Sequence, residues 1–205
     1  HTLNNDAGRI ASPNNVRLGL AQLNNTQGVI AAGHELTVTA QTIDNANGEL
    51  SAGRALTLGT QLLQQNQGQI LSAGEMNLTA QVLDNSGQGL ISAGTALNIQ
   101  AERLDNQQLG TVISDGVLNI ETKQLNNYDQ GLLLSKGLLH AQLNQLDQHH
   151  KGELISSEAI YLNLSDGHLN NSQGGLIYAP QLQLQQIGLL NNSQGGEIST
   201  PNDLV

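Results

Sequence analysis

The chain has 205 residues, with 17 Asp and Glu against 7 Lys and Arg, a net charge of -10 and a pI near 4.7. That balance excludes the clustered Lys and Arg that a nucleic-acid backbone or an anionic membrane demands, and the absence of Cys excludes a disulfide framework and a thiolate metal site. With no Phe, no Trp, 3 Tyr and 23 Gly, the core must be built from Leu, Ile, Val and Ala, which suits a thin repeated interior better than one large irregular one.

The chain repeats itself. Coils start at Leu3, Leu23, Ile43, Leu63, Leu83, Leu104, Leu125, Leu146, Leu169 and Leu190, at intervals of 20 residues at first, then 21, with one of 23 from Leu146 to Leu169. Two residues after each start stands a carboxamide: Asn5, Asn25, Asn45, Gln65, Asn85, Asn106, Asn127, Gln148, Asn171 and Asn192. A glycine follows in every coil, five residues after the start in the first four (Gly8 to Gly68) and six after it in the last six (Gly89 to Gly196). The longer period is therefore one residue added to a turn, which a surface turn absorbs without moving its strands. The turn glycine is expected to supply a backbone angle that other residues resist.

Two residues past each glycine comes a branched aliphatic, as in Ile30, Ile91 and Leu154, then a small residue two further on, as in Ala32, Ala93 and Ser156. An apolar pair at spacing two ends the coil: Leu36/Val38, Met76/Leu78, Leu97/Ile99, with coil seven at Leu139/Ala141 and coil nine at Leu182/Leu184. Every stretch has period two and none has period 3.6, which predicts strands with those positions on one face. Three short strands per coil fit the spacing. A single coil can neither bury its apolar face nor pair its backbone, so coils must stack. The prediction is an all-β, right-handed parallel β-helix (a solenoid) of about ten coils of 20–23 residues, one repeat domain over residues 1–205. The hand follows from the default of parallel crossovers. Neither a signal peptide nor an initiator Met is present, so the chain reads as a fragment of a much longer protein, and no apolar run reaches membrane-spanning length. Inward Asn5, Asn25, Asn45, Asn85, Asn106, Asn127, Asn171 and Asn192 are expected to hydrogen-bond from coil to coil as a ladder. A leucine-rich repeat shares the period but fails on its own motif, since Gly53 and Gln61 stand where Leu and Asn belong.

The unit Leu83-Asp84-Asn85, Gly89-Leu90-Ile91-Ser92-Ala93-Gly94, Ala96-Leu97-Asn98-Ile99 resembles the haemagglutinin repeat, and the resemblance runs over essentially the whole chain. That repeat builds filamentous haemagglutinin and the contact-dependent growth inhibition exoproteins. The resemblance implies a right-handed parallel β-helix exported by two-partner secretion, with the outer-membrane transporter as partner during export. It implies secretion to, or display on, the surface of a Gram-negative cell, in adhesion or toxin delivery. It carries no catalytic residues.

Chemistry is sparse. Asp44, Asp84, Asp105 and Asp147 share the column after each start, and adjacent Asp84 and Asp105 have the separation of a retaining glycosidase pair. Asp alternates there with Asn and Gln and no aromatic sugar platform accompanies it, so the column reads as interchangeable turn residues, not an enzyme. The RTX calcium motif is absent. His149 and His150 are expected to diverge on a strand without acidic partners at metal spacing, so neither metal nor cofactor is expected.

Two features break the repeat. Coil eight carries extra length near Asp166 and His168 besides His149, His150 and Lys151, and these five form a candidate contact loop. The outward position three past each glycine turns apolar in the second half, giving Ile113, Leu134, Ile155 and Tyr178, with Leu132 and Leu176 beside them, a candidate contact strip. The leading function is a structural shaft that presents an adhesin or contact-dependent toxin. The alternative is a module that itself binds a partner such as a target-cell surface receptor; a polysaccharide-active enzyme stands third. Neither nucleic-acid binding nor membrane insertion of this segment is expected.

Overall fold

A computed structural model describes residues 1–202, in which all regular structure is β: 24 strands, every pairing between them parallel, and no helix. Each coil contributes to three walls. The first wall holds ten strands, from Arg9–Ser12 through Thr111–Ser114 to Glu197–Ser199. The second wall begins with Val16–Gly19, Glu35–Thr39 and Ala55–Gly59, and the third with Thr2–Asn4, Gln22–Asn24 and Thr42–Asp44. Ten levels stand on the first and third walls and nine on the second, so the solenoid makes about nine complete turns. At roughly 4.8 Å per rung the stack is about 45 Å long.

Register follows the repeat. Leu3 pairs with Leu23, Ile30 with Leu50 and Leu36 with Leu56, so each inward column is a pile of like residues. Ile30, Leu36, Leu56, Ile91, Leu104 and Leu154 are wholly buried, and the small column (Ala32, Ala93, Ser135, Ser156) is buried beside them. The displaced pairs of coils seven and nine stay in register: Leu139 and Ala141 under Leu118 and Ile120, Leu182 and Leu184 under Ile160 and Leu162. The two open ends differ from the middle, with Leu3 and Ile10 at one end and Ile187 and Ile198 at the other only half buried.

Two expectations change. Three short strands per coil hold only for the first three coils. From Glu75 onward the second and third walls merge across their corner, as in Glu75–Asp84, Ala96–Asp105 and Val117–Asn126 of ten residues each; only coil seven reverts, with Leu139–Gln142 and Gln145–Asp147. The ladder continues through the corner because Ala80 pairs directly with Ala101 and Ala101 with Thr122.

The turn glycine also has a different reason. None of these ten glycines is left-handed; the residues before them are, singly in the first four turns (Ala7, Gln27, Asn47, Gln67) and as consecutive pairs in the last six (from Gly87/Gln88 to Gln194/Gly195). The residue added to each later turn is the second left-handed one. Glycine is required because the chain passes against the coil before it: a Cβ on Gly28 would lie 2.1 Å from the Asn5 carbonyl oxygen, and one on Gly152 would lie 2.1 Å from that of Asn127.

Candidate functional site

The interior holds a polar ladder. Asn5 Nδ2 donates to Asn25 Oδ1 at 2.7 Å, Asn25 to Asn45 at 2.7 Å, Asn45 to Gln65 Oε1 at 3.3 Å and Gln65 Nε2 to Asn85 Oδ1 at 2.9 Å. It continues from Asn85 to Asn106 and on to Asn127, breaks, and resumes from Gln148 through Asn171 to Asn192. At the break, Asn127 Nδ2 donates only to the Glu153 carbonyl, and buried Gln148 Oε1 has no partner. The ladder amides also donate to backbone carbonyls, Asn25 to those of Gly28 and Glu49, so each ties its own turn to the first-wall strand of the next coil. This column is structural.

The neighbouring Asp column has the same character. Asp44 Oδ1 accepts from the Ala46 amide and Asp84 Oδ1 from the Ser86 amide, just as Asn24 Oδ1 accepts from Thr26. These are Asx turns, where Asp and Asn are equivalent. Asp84 and Asp105 are directly paired, but Asp105 is buried and held by Arg103 Nε at 2.9 Å and Asn126 Nδ2 at 2.6 Å.

The coil-eight residues divide between two corners. His149, His150 and Lys151 lie in the turn between the third and first walls, not on a strand. His149 Nδ1 meets Asp147 Oδ1 at 2.6 Å, and His150 Nδ1 lies 3.3 Å from Asp129 Oδ1 of the preceding coil. Each histidine thus has one acidic partner, His149 within its own coil and His150 across to the coil before it, where stacking brings the turns together. His149 also stacks on Tyr128 at 4.8 Å. Burial first, then the carboxylates of Asp105, Asp129 and Asp147, raise the Tyr128 phenol above its ordinary value. Among the described residues no group of three or more acidic or histidine side chains is placed to hold a metal ion. Asp166 and His168 belong to the corner between the second and third walls. Two residues, Leu143 and Asn144, join Gln142 to Gln145; four join Asn163 to His168, so the insertion is a two-residue bulge in which Ser165 and Asp166 are left-handed. The five residues do not form one loop.

On the first wall Ile113, Leu134, Ile155 and Tyr178 are consecutive rungs of one outward column, the first three half buried and Tyr178 39% exposed. Leu132 and Leu176 flank it, but Glu153 pairs with both and stands between them, so the apolar strip is one column wide at that level.

A feature on the second wall was not read from the sequence. Two outward columns frame a trench of about 510 Å³ over six rungs, floored by the backbone of the inward column between them. One rail is Asn77, Asn98, Asn119, His140, Tyr161 and Gln183; the other is Thr79, Gln100, Glu121, Gln142, Asn163 and Gln185. Asn119 Nδ2 donates to Asn98 Oδ1 at 2.7 Å and Asn98 Nδ2 to Asn77 Oδ1 at 2.9 Å, while the His140 and Tyr161 rings stack at 4.9 Å with 9° between planes. The earlier rungs of these columns are mostly short, Thr37 and Thr57 on one side and Gly19, Thr39 and Gly59 on the other, so the rails rise only from coil four onward. The signal was present in the sequence as the residue enclosed by each apolar pair.

No curated protein and no solved structure matches the chain. The family model for the haemagglutinin repeat matches residues 1–80 and again residues 60–205. Together these matches cover the stacked coils from end to end, and the chain belongs to the haemagglutinin repeat family.

Proposed function

We propose that this chain is a shaft segment of a secreted bacterial surface filament, which spaces an adhesin or contact-dependent toxin away from the cell. The observation that carries this reading is the unbroken register of ten first-wall rungs, across which coil length varies only at corners. A structure whose every level repeats the last transmits position along its axis and tolerates changes in number. Export by two-partner secretion through an outer-membrane transporter of a Gram-negative cell accords with a stack in which each coil pairs only with its neighbours. No catalytic role is assigned: the paired acids are engaged in turns and ion pairs, and the family is a structural and adhesin family.

The test is excision of two whole coils, residues 43–82, which joins Thr42 to Leu83 in the original phase. The shortened chain is expected to unfold cooperatively and to lose about 10 Å of length in small-angle scattering. Loss of cooperative folding, or an unchanged length, would overturn the reading.

A second reading has its own observation. Ile113, Leu134, Ile155 and Tyr178 are contiguous and outward, and such a column suits contact with a partner, including a target-cell receptor. Leu134→Glu with Ile155→Glu should then abolish saturable binding of the labelled chain to cells or its self-association. Unchanged behaviour in both assays removes the second reading.

A further inference from the structure

We infer that the second-wall trench is a binding site for an uncharged, hydroxyl-rich linear oligosaccharide lying along the stack axis. The inference is independent of the shaft reading, since a shaft can carry a lateral site.

Three observations converge. The first is shape. The trench spans six rungs, about 24 Å, and stays open along its length, so it accepts an extended polymer rather than a compact small molecule. The second is chemistry. Its rails are mostly carboxamides, and each carboxamide presents both donors and an acceptor, the complement of a row of sugar hydroxyls. Asn77, Asn98 and Asn119 are already ordered by their mutual hydrogen bonds, so little freedom is lost when a ligand engages them. The third is the aromatic pair. Tyr161 is 37% exposed and stacks on His140 of the preceding rung, so these two rungs together offer apolar ring surface against which sugar C–H groups can pack, with a phenol and an imidazole nitrogen beside it.

Charge decides among linear polymers. No Lys or Arg lines the trench, Glu121 is its single carboxylate, and the chain as a whole carries a net charge of -10. Nucleic acids and sulfated glycans are repelled. An apolar peptide gains little from rails of amides, which would lose water without regaining partners.

The test titrates the purified chain with oligosaccharides long enough to cross all six rungs: β-1,4-linked glucose, β-1,4-linked N-acetylglucosamine and α-1,6-linked mannose. A sulfated heparin oligosaccharide and an extended apolar peptide are the comparison ligands. At least one neutral sugar is expected to bind saturably. Tyr161→Ala and Asn119→Ala should each weaken that binding about tenfold, with unfolding curves that remain cooperative. Thr57→Ala, on a rung before the rails rise, should leave it unchanged. The inference is overturned if no neutral sugar binds at millimolar concentration, if both trench variants bind as the unaltered chain does, or if heparin or the peptide binds more tightly than every neutral sugar.

Discussion

At the scale of single residues, two kinds of glycine must be distinguished. Gly28 carries a space requirement: any Cβ would press on the Asn5 carbonyl, which is backbone and cannot yield without moving a whole coil. Gly28→Ala is therefore expected to destabilise by about 1–3 kcal/mol in urea unfolding. Gly19, with nothing within 4 Å of its would-be Cβ, should accept alanine with little loss or a small gain. The ladder offers the opposite experiment. Gln148 leaves an acceptor unpaired and Asn127 stops short of it, so Gln148→Asn should close the break and add about 1 kcal/mol. A loss of stability instead would mean that the extra methylene fills space the column needs.

Tyr128 gives a pH dependence. Its phenol is raised in the folded chain, by burial foremost and by three carboxylates next, so the folded state holds this proton more tightly than the unfolded one. The stabilisation is complete below about pH 10 and is lost as pH climbs through the folded value. Tyr128→Phe should move the midpoint of alkaline unfolding upward, and absorbance at 295 nm should show Tyr128 ionising later than a free phenol.

At the scale of strands and turns, the sequence was most legible where one side chain decides one face. The inward columns of Leu, Ile and carboxamide appear at fixed spacing, and period two assigns them without reference to neighbours. The coil lengths likewise located the bulge near Ser165 and Asp166, since an insertion shifts every later repeat by its own size. What spacing could not give is the relation between coils. The Asp129 contact to His150 arises from a residue one coil earlier, and the clash that reserves Gly28 arises from Asn5, again one coil earlier. The merging of walls at Glu75–Asp84 is a matter of how a corner bends, and no residue type announces it. The trench was missed for a different reason. Its rails are polar outward residues, the expected background of any strand, and only their growth from Thr57 to Asn77 and on to Tyr161 along one wall distinguishes them. Excision of Ser165 and Asp166 tests the element scale directly. Coil eight would return to 21 residues, and the chain should fold with its thermal midpoint within a few degrees of the original, because a bulge between paired strands adds no burial of its own.

At the scale of the molecule, stability should depend on where along the stack a defect falls. Nearly all contacts join a coil to the next, so the solenoid behaves as a one-dimensional array in which each interface adds a similar increment. Leu97 is wholly buried between two complete coils, whereas Ile198 sits half buried on the last rung. Leu97→Ala leaves a cavity that neither neighbour can fill, at a cost of about 2–5 kcal/mol, and it divides the array into two shorter stacks. Ile198→Ala removes surface that is already partly in water and touches one interface only. Native-state hydrogen exchange separates the two cases. The central substitution should lower protection in the coils on both sides of Leu97, and a broadened or two-step denaturant transition would accompany it once each half unfolds on its own. The terminal one should lower protection in the last coil and leave the Leu97 region unaffected. Equal effects at both positions would mean that the stack unfolds as one indivisible unit, and that its length is set by global cooperativity rather than by addition of coils.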